Sequence, residues 1–217
     1  MKFKTIRRGF GCVVLLCGIA FASAGAQLHV IVYKDAPVSE EVLDRARAEA
    51  VRIFRGAGIE LSWINCSRNM AANECQASPA EGVLYLNIVS QGTLVHDLVY
   101  GEAFLDDRGK GKVADVFYDR VKDAQRELGI NEGRLLGAIA AHEIGHLVLG
   151  LHAHHWTGIM TPNWDRENLR LLGMGTLFFS KEQAIRMRQC LSEPERFIAV
   201  TDAQNQESGI AKPRSNR

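Results

Sequence analysis

The five residues 142–146, His-Glu-Ile-Gly-His, constrain the fold of this chain more than any other feature. Residues four apart lie on one face of a helix with Cβ atoms about 5 to 6 Å apart, so His142 and His146 can both reach one zinc ion. Glu143 does not share that face fully and is suited to take a proton from a zinc-activated water. The alternative, two buried histidines without a metal, is costly because polar rings and a carboxylate would be buried together.

A zinc site needs a third protein ligand, and several candidates follow the motif. Gly150 ends the predicted helix, and a turn at a glycine can direct a following histidine back to the metal. The candidates are His152, His154, His155 and a later carboxylate such as Glu167. Spacing alone separates them only in part.

The run from His142 to His154, HEIGHLVLGLHAH, is followed by Thr-Gly-Ile-Met at 157–160. It resembles the metzincin zinc peptidases, although Gly150 is one position late and His152 stands at that group's third-histidine spacing. It is more similar to small secreted bacterial zincin-like proteins with HEIGHLLLG, a four-residue step to a histidine, T-G-[IL]-M and a tryptophan. That resemblance extends over most of the chain after residue 26.

The resemblance implies a zinc metallopeptidase with His142, His146 and His154 as zinc ligands and Glu143 as general base. It also implies that an extended peptide or protein substrate binds antiparallel to an edge strand, for which 102–105 is the candidate. Met160 is then either a hydrophobic floor beneath the metal or an ordinary core methionine. Trp156 and Trp164 are expected to pack around the site.

The first 26 residues have the three parts of a secretory signal peptide: four basic residues, an apolar run from Cys12 to Phe21, and small residues 22–26. We expect cleavage after Ala26 and a secreted or periplasmic product, exported by the general or the twin-arginine route. An uncleaved anchor is the alternative, but the apolar run is about half the roughly twenty residues of a membrane span. No stable membrane insertion is expected after cleavage.

Composition excludes functions that depend on bulk charge. The chain is 47% hydrophobic with a net charge of +1; without residues 1–26, its 26 basic residues become 22 against 25 acidic ones, near −3. A nucleic-acid partner is not expected, because such proteins usually carry a basic excess. Of the three cysteines outside the signal, Cys66 and Cys75 are candidates for a disulfide in an oxidising compartment, which leaves Cys190 over.

The periodicity of apolar residues and the capping residues predict the elements. Strands are expected at 28–33, 59–64, 83–89, 100–105 and 113–118, and helices at 40–54, 119–128, from Asn131 to Gly150, and from Ser180. The expected fold is α+β and zincin-like: one domain over 27–200, with a twisted mixed sheet packed on the helix of the histidine motif and a C-terminal helix. A polar tail is expected at 201–217.

The sequence therefore predicts a secreted, monomeric, zinc-dependent endopeptidase. A zinc-stabilised binding module without catalysis is one rival. A zinc amidase that acts on cell-wall peptide is the other.

Overall fold

The computed structural model of the chain describes residues 25–67, 83–91 and 99–193. Within these ranges the order of elements is β1 (Ala26–Lys34), α1 (Glu40–Gly56), β2 (Ile59–Cys66), β3 (Val83–Val89), β4 (Gly101–Phe104), β5 (Val113–Phe117), α2 (Tyr118–Leu128), α3 (Glu132–Leu149), α4 (Arg166–Met174) and α5 (Lys181–Ser192). The predicted signal peptide, apart from its last two residues, and the predicted tail lie outside the described residues, so both stay predictions.

The five described strands form one mixed sheet in the order β2-β1-β3-β5-β4. β1 is parallel to β2 and β3, and β3 is parallel to β5. β4 pairs antiparallel with β5 and has no second neighbour in the described part of the chain. Among the strands at 25–67, 83–91 and 99–193, β4 is therefore at the edge of the sheet.

Buried and more exposed side chains alternate along β3 and most of β5, so the sheet has one well-buried face. The inner-face side chains are almost wholly buried and join one core with α1 and α3; they are Leu28, Val30, Val32, Leu84, Leu86, Ile88, Ala114 and Val116. α3 contacts β3, β4 and β5, and most of its side chains are buried. The predicted packing of a sheet on the helix of the histidine motif is confirmed.

Helix ends follow the capping residues. The side chains of Ser39 and Asn131 accept hydrogen bonds from backbone N–H groups in the first turns of α1 and α3. Ser180 and Gln183 form a reciprocal capping box at α5, and Gly129 ends α2 in the left-handed conformation. The prediction of an α+β single domain is confirmed; α4 is an addition that the sequence analysis did not predict.

Cys66 is disulfide-bonded, whereas its predicted partner Cys75 lies outside the described residues. Cys190 is buried near the end of α5. Among the helices that the structure describes, none combines the length and the apolar character that crossing a membrane requires.

Candidate metal centre and active site

Three histidines converge at the C-terminal end of α3. His142 and His146 stand one turn apart on the helix, and His154 returns to them from the following loop. One ligand nitrogen from each ring lies within 4.8 Å of the others. The ring centroids of His146 and His154 are 4.7 Å apart, and those of His142 and His154 are 5.6 Å apart. In the described ranges this is the group of histidine, cysteine and carboxylate residues that could hold a metal ion.

The backbone carbonyl of Ile159 sets the tautomer of His142. Nδ1 of His142 lies 2.7 Å from this oxygen, and a carbonyl only accepts, so Nδ1 carries the proton and donates it. Nε2 of His142 then presents a lone pair, and Nε2 of His146 lies 3.1 Å from it. The Trp164 indole N–H also donates to the Ile159 oxygen, at 3.1 Å. Such hydrogen bonds to the second ring nitrogen orient metal-binding histidines.

A turn after α3 carries His154 to the other two histidines. Gly150 has φ 77° and His152 has φ 60°, both in the left-handed region. Ala153 is buried, and its carbonyl oxygen accepts a hydrogen bond of 3.0 Å from the Gln183 amide of α5. The loop is therefore anchored immediately before His154.

His142 and His146 are half-buried and His154 is exposed, and the partial desolvation of the three rings favours their neutral form. It lowers the pKa of His142 to about 4, and the neighbouring His154 adds to that effect. Burial, then His142 and His154, lower the pKa of His146 to about 3, and burial lowers that of His154 as well. Neutral imidazole is the form that binds a metal, so protons compete weakly for this cluster near neutral pH.

Glu143 is buried beside the histidines, with 6% of its surface exposed. Burial, and then the charge of Glu102, raise the pKa of this carboxyl to about 8. Within the described residues its side chain makes no hydrogen bond. A Cβ on Gly101 of β4 would lie 2.7 Å from Cγ and 2.8 Å from Oε1 of Glu143, so only a glycine allows the edge strand to approach this closely.

Met160 lies beneath the histidine helix and is completely buried. A Cβ on Gly145 would come within 2.6 Å of its sulfur, so the glycine between the two histidines admits the methionine. The hydrogen bond from His155 N–H to the Met160 carbonyl, at 3.0 Å, holds the chain segment in this position. Met160 belongs to the hydrophobic core and lies next to the helix that carries two of the histidines, so its location fits both interpretations.

The other predicted candidates lie apart from the group of three. His152 is not among the residues whose ligand nitrogens converge, and Nδ1 of His155 is engaged with Thr157. Glu167 forms an exposed ion pair with Arg170 at 2.7 Å. The expectation that Trp156 packs around the site is wrong, because 92% of its surface is exposed.

Trp164 is half-buried with its ring centroid 6.2 Å from that of His142, so its expected packing is confirmed. Sequence reasoning missed the hydrogen bond from Gln183 to the loop and the contact of Gly101 with Glu143. The capping box signalled Gln183 as a helix residue only. Nothing in the sequence signals the contact at Gly101.

The chain is similar in fold to solved structures that include archaemetzincin from Methanopyrus kandleri and metalloproteinase-II from Bacteroides fragilis. The first has a TM-score of 0.47 and 16% identity over 79% of this chain and 99% of that chain. The second has a TM-score of 0.49 and 14% identity over 78% of this chain and 54% of that chain. No family model and no curated protein matches the chain.

Proposed function

We propose that the chain is an exported, zinc-dependent endopeptidase in which His142, His146 and His154 hold the metal and Glu143 is the general base. The observation that carries this proposal is the convergence of three imidazole nitrogens, all within 4.8 Å of one another, beside a buried carboxyl at a sheet edge. The hydrolytic protein would act on peptides as a monomer, after removal of the signal peptide.

The donor set fits zinc. Three neutral imidazoles leave one position of a tetrahedral ion for water or substrate, which is the arrangement of catalytic rather than structural zinc sites. Two Nε2 atoms at 3.1 Å are close to the roughly 3.3 Å that two nitrogens on one tetrahedral zinc would have. When bound, zinc lowers the pKa of a water and polarises a carbonyl oxygen.

Glu143 supplies the proton transfers. In the metal-free protein burial raises the pKa of this carboxyl to about 8, and a dication held by the adjacent histidines would lower that pKa and favour the carboxylate, the form that accepts a proton. With no competing hydrogen bond in the described part of the chain, the carboxylate is available to take a proton from the attacking water. The same carboxyl then returns that proton to the leaving amine.

The edge strand β4 supports a peptide substrate. An extended chain can add to an exposed sheet edge through backbone hydrogen bonds. Because Gly101 contacts Glu143, a peptide on this edge passes directly beside the general base. This arrangement favours an extended peptide over a compact substrate.

The metal site is tested by comparing His154→Ala with His155→Ala. We expect wild-type protein to bind one zinc per chain, His154→Ala to lose most of it, and His155→Ala to keep it. Zinc content is measured by elemental analysis after dialysis. Full zinc retention by His154→Ala would contradict the assignment of the third ligand.

Catalysis is tested with Glu143→Gln, which keeps the shape of the side chain but cannot accept the proton. We expect retained zinc and a loss of peptide cleavage of about 10²- to 10⁴-fold, the usual contribution of a general base. Cleavage of a diverse peptide library is followed by mass spectrometry, with and without chelator. Unchanged cleavage by the variant would refute the role of Glu143.

Two other outcomes would favour the rivals. Stoichiometric zinc without cleavage of any peptide by wild-type protein would favour a zinc-stabilised binding module. Hydrolysis confined to cell-wall peptides would favour the amidase.

A further inference from the structure

We infer that Glu102 and Phe104, on the outer face of the edge strand, select peptides that carry a basic and an apolar side chain two residues apart. This inference rests on the proposed function, because it concerns a substrate strand added to β4. It names the substrate class that the site prefers and two residues that determine the specificity.

The register of β4 on β5 assigns the faces. Gly101 and Ala103 are paired with Val116 and Ala114, both completely buried on the inner face. Directly opposed residues of an antiparallel pair share a face, and neighbours along a strand alternate. The two remaining residues of β4, Glu102 and Phe104, therefore lie on the outer face, and both are exposed.

The outer face carries unneutralised negative charge at this edge. Glu102 is paired with Asp115, so two carboxylates lie on the same face of adjacent strands. The Asn87 amide donates to the Asp115 carboxylate at 2.7 Å, but an amide brings no charge. Glu102 forms no ion pair among the residues that the structure describes. Like charges opposed across strands are unfavourable, and a cation on the next strand would relieve them.

An apolar position follows on the same face. Phe104 is paired with Val113, and 47% and 36% of their surfaces are exposed. A third strand would cover part of this apolar surface with its own side chain, as aromatic and β-branched cross-strand pairs do. The residue of the added strand that neighbours Phe104 is expected to be apolar or aromatic.

These two positions are close to the reacting centre. Glu102 follows Gly101, whose backbone contacts the Glu143 side chain. A strand added to β4 would lie about 4.8 Å from it. The two peptide side chains next to Glu102 and Phe104 would be two residues apart. In a peptide that runs antiparallel to β4, the apolar residue comes before the basic one.

The test measures peptide selectivity in wild type, Glu102→Arg and a control, Glu60→Arg. Glu60 is an exposed carboxylate on β2, the opposite edge strand, so its replacement changes net charge equally. The probes are a matched pair of peptides, one with an apolar residue two positions before a basic residue and the other with that basic residue replaced by Glu. We expect wild type and Glu60→Arg to prefer the basic peptide by about three- to fivefold in kcat/KM, and Glu102→Arg to reverse the preference.

Two further measurements make the inference specific. Phe104→Ser should lose the preference for an apolar residue two positions before the basic residue of the peptide. It should keep the preference for the basic residue. The charge preference should shrink in 1 M salt, where the screening length is about 3 Å. Zinc content and thermal unfolding of each variant establish that it is folded.

Failure of the inference is distinguishable from failure of the proposed function. Binding of the same peptides is measured by fluorescence anisotropy on the zinc-loaded Glu143→Gln protein, which requires no turnover. The inference is refuted if wild type cleaves peptides without preferring the basic one, or if Glu102→Arg leaves that preference unchanged. The proposed peptidase activity then still stands. If wild type cleaves no peptide but the Glu143→Gln protein binds the basic peptide selectively, the proposed peptidase activity is refuted and the inferred peptide preference stands. If the protein shows neither cleavage nor selective binding, both the inference and the proposed function are refuted.

Discussion

At the level of single residues, the carbonyl oxygen of Ile159 and the burial of Glu143 prepare the site before a metal arrives. The carbonyl fixes which nitrogen of His142 carries the proton. Burial keeps the Glu143 carboxyl protonated at pH 7 in the metal-free protein, since its pKa is about 8. A dication held by the adjacent histidines would favour the carboxylate form.

We therefore expect zinc binding at pH 7 to release a proton from Glu143. Below the metal-free pKa the carboxyl is protonated, and the nearby positive charge lowers that pKa. Calorimetric titration with zinc in buffers of different ionisation enthalpy gives the number of protons released. Wild type should release up to one proton more than Glu143→Gln at pH 7; equal release by the two proteins would contradict the expectation.

Sequence reasoning identified the residues of the motif because a helix fixes the direction of side chains four apart. It could only rank the third histidine, since the path of a loop depends on backbone angles that spacing does not encode. The positive φ angles of Gly150 and His152 and the hydrogen bond that anchors Ala153 depend on the tertiary structure. The error at Trp156 has the same origin.

At the level of elements, α5 supports the loop that bears His154. The side chain of Gln183 accepts from the Ser180 N–H, in the capping box, and donates to the Ala153 carbonyl. The first contact stabilises a helix, and the second positions the residue before a proposed ligand. The two contacts can be separated experimentally.

We expect Gln183→Ala to weaken zinc binding by about tenfold, as loss of an outer hydrogen bond at metal sites often does. Ser180→Ala is the matched control, because it breaks the capping box and leaves the bond to Ala153. Both variants should lose about 1 kcal/mol of stability. Competition with a chromogenic zinc chelator gives the affinities; equal zinc affinity in the two variants would show that the contact with Ala153 is unimportant.

Elements with strong local signals were predicted within a few residues. β3 was predicted at its observed limits, and the cap residues Ser39, Asn131 and Ser180 begin their helices. α4 was missed because its cap pairs Asp165 with Asn168, rather than with the glutamate or glutamine that marks a capping box. The strand order was not predictable, since alternation identifies a strand but not its neighbour.

At the level of the whole molecule, the half-buried histidines His142 and His146 link stability to pH. Burial lowers the pKa of His142 to about 4 and that of His146 to about 3, from 6.5. Below pH 6.5 the unfolded chain binds protons that the folded protein does not, so stability falls as pH falls from 6.5 towards 4. The raised pKa of Glu143 acts in the opposite direction between pH 4.5 and 8.

We therefore expect metal-free Glu143→Gln, which lacks the opposing contribution, to unfold at progressively lower temperature as pH is reduced from 7 to 5. His142→Asn/His146→Asn in the same background should show a weaker dependence. Differential scanning calorimetry measures both. Excess zinc should raise the midpoint at pH 7, because a ligand that binds only the folded state stabilises it. A flat profile for metal-free Glu143→Gln would contradict the assigned pKa shifts.

His142, His146 and His154 are close in sequence as well as in space. The three side chains belong to a stretch of thirteen residues, and the hydrogen bond from Gln183 that anchors the loop at Ala153 spans thirty positions. The approach of Gly101 to Glu143 instead joins parts of the chain forty-two positions apart and requires the sheet to be complete. The contacts that bring the histidines together are therefore shorter in sequence than the contact between β4 and Glu143. A change that disturbs β4 should abolish peptide cleavage while the metal ion remains bound.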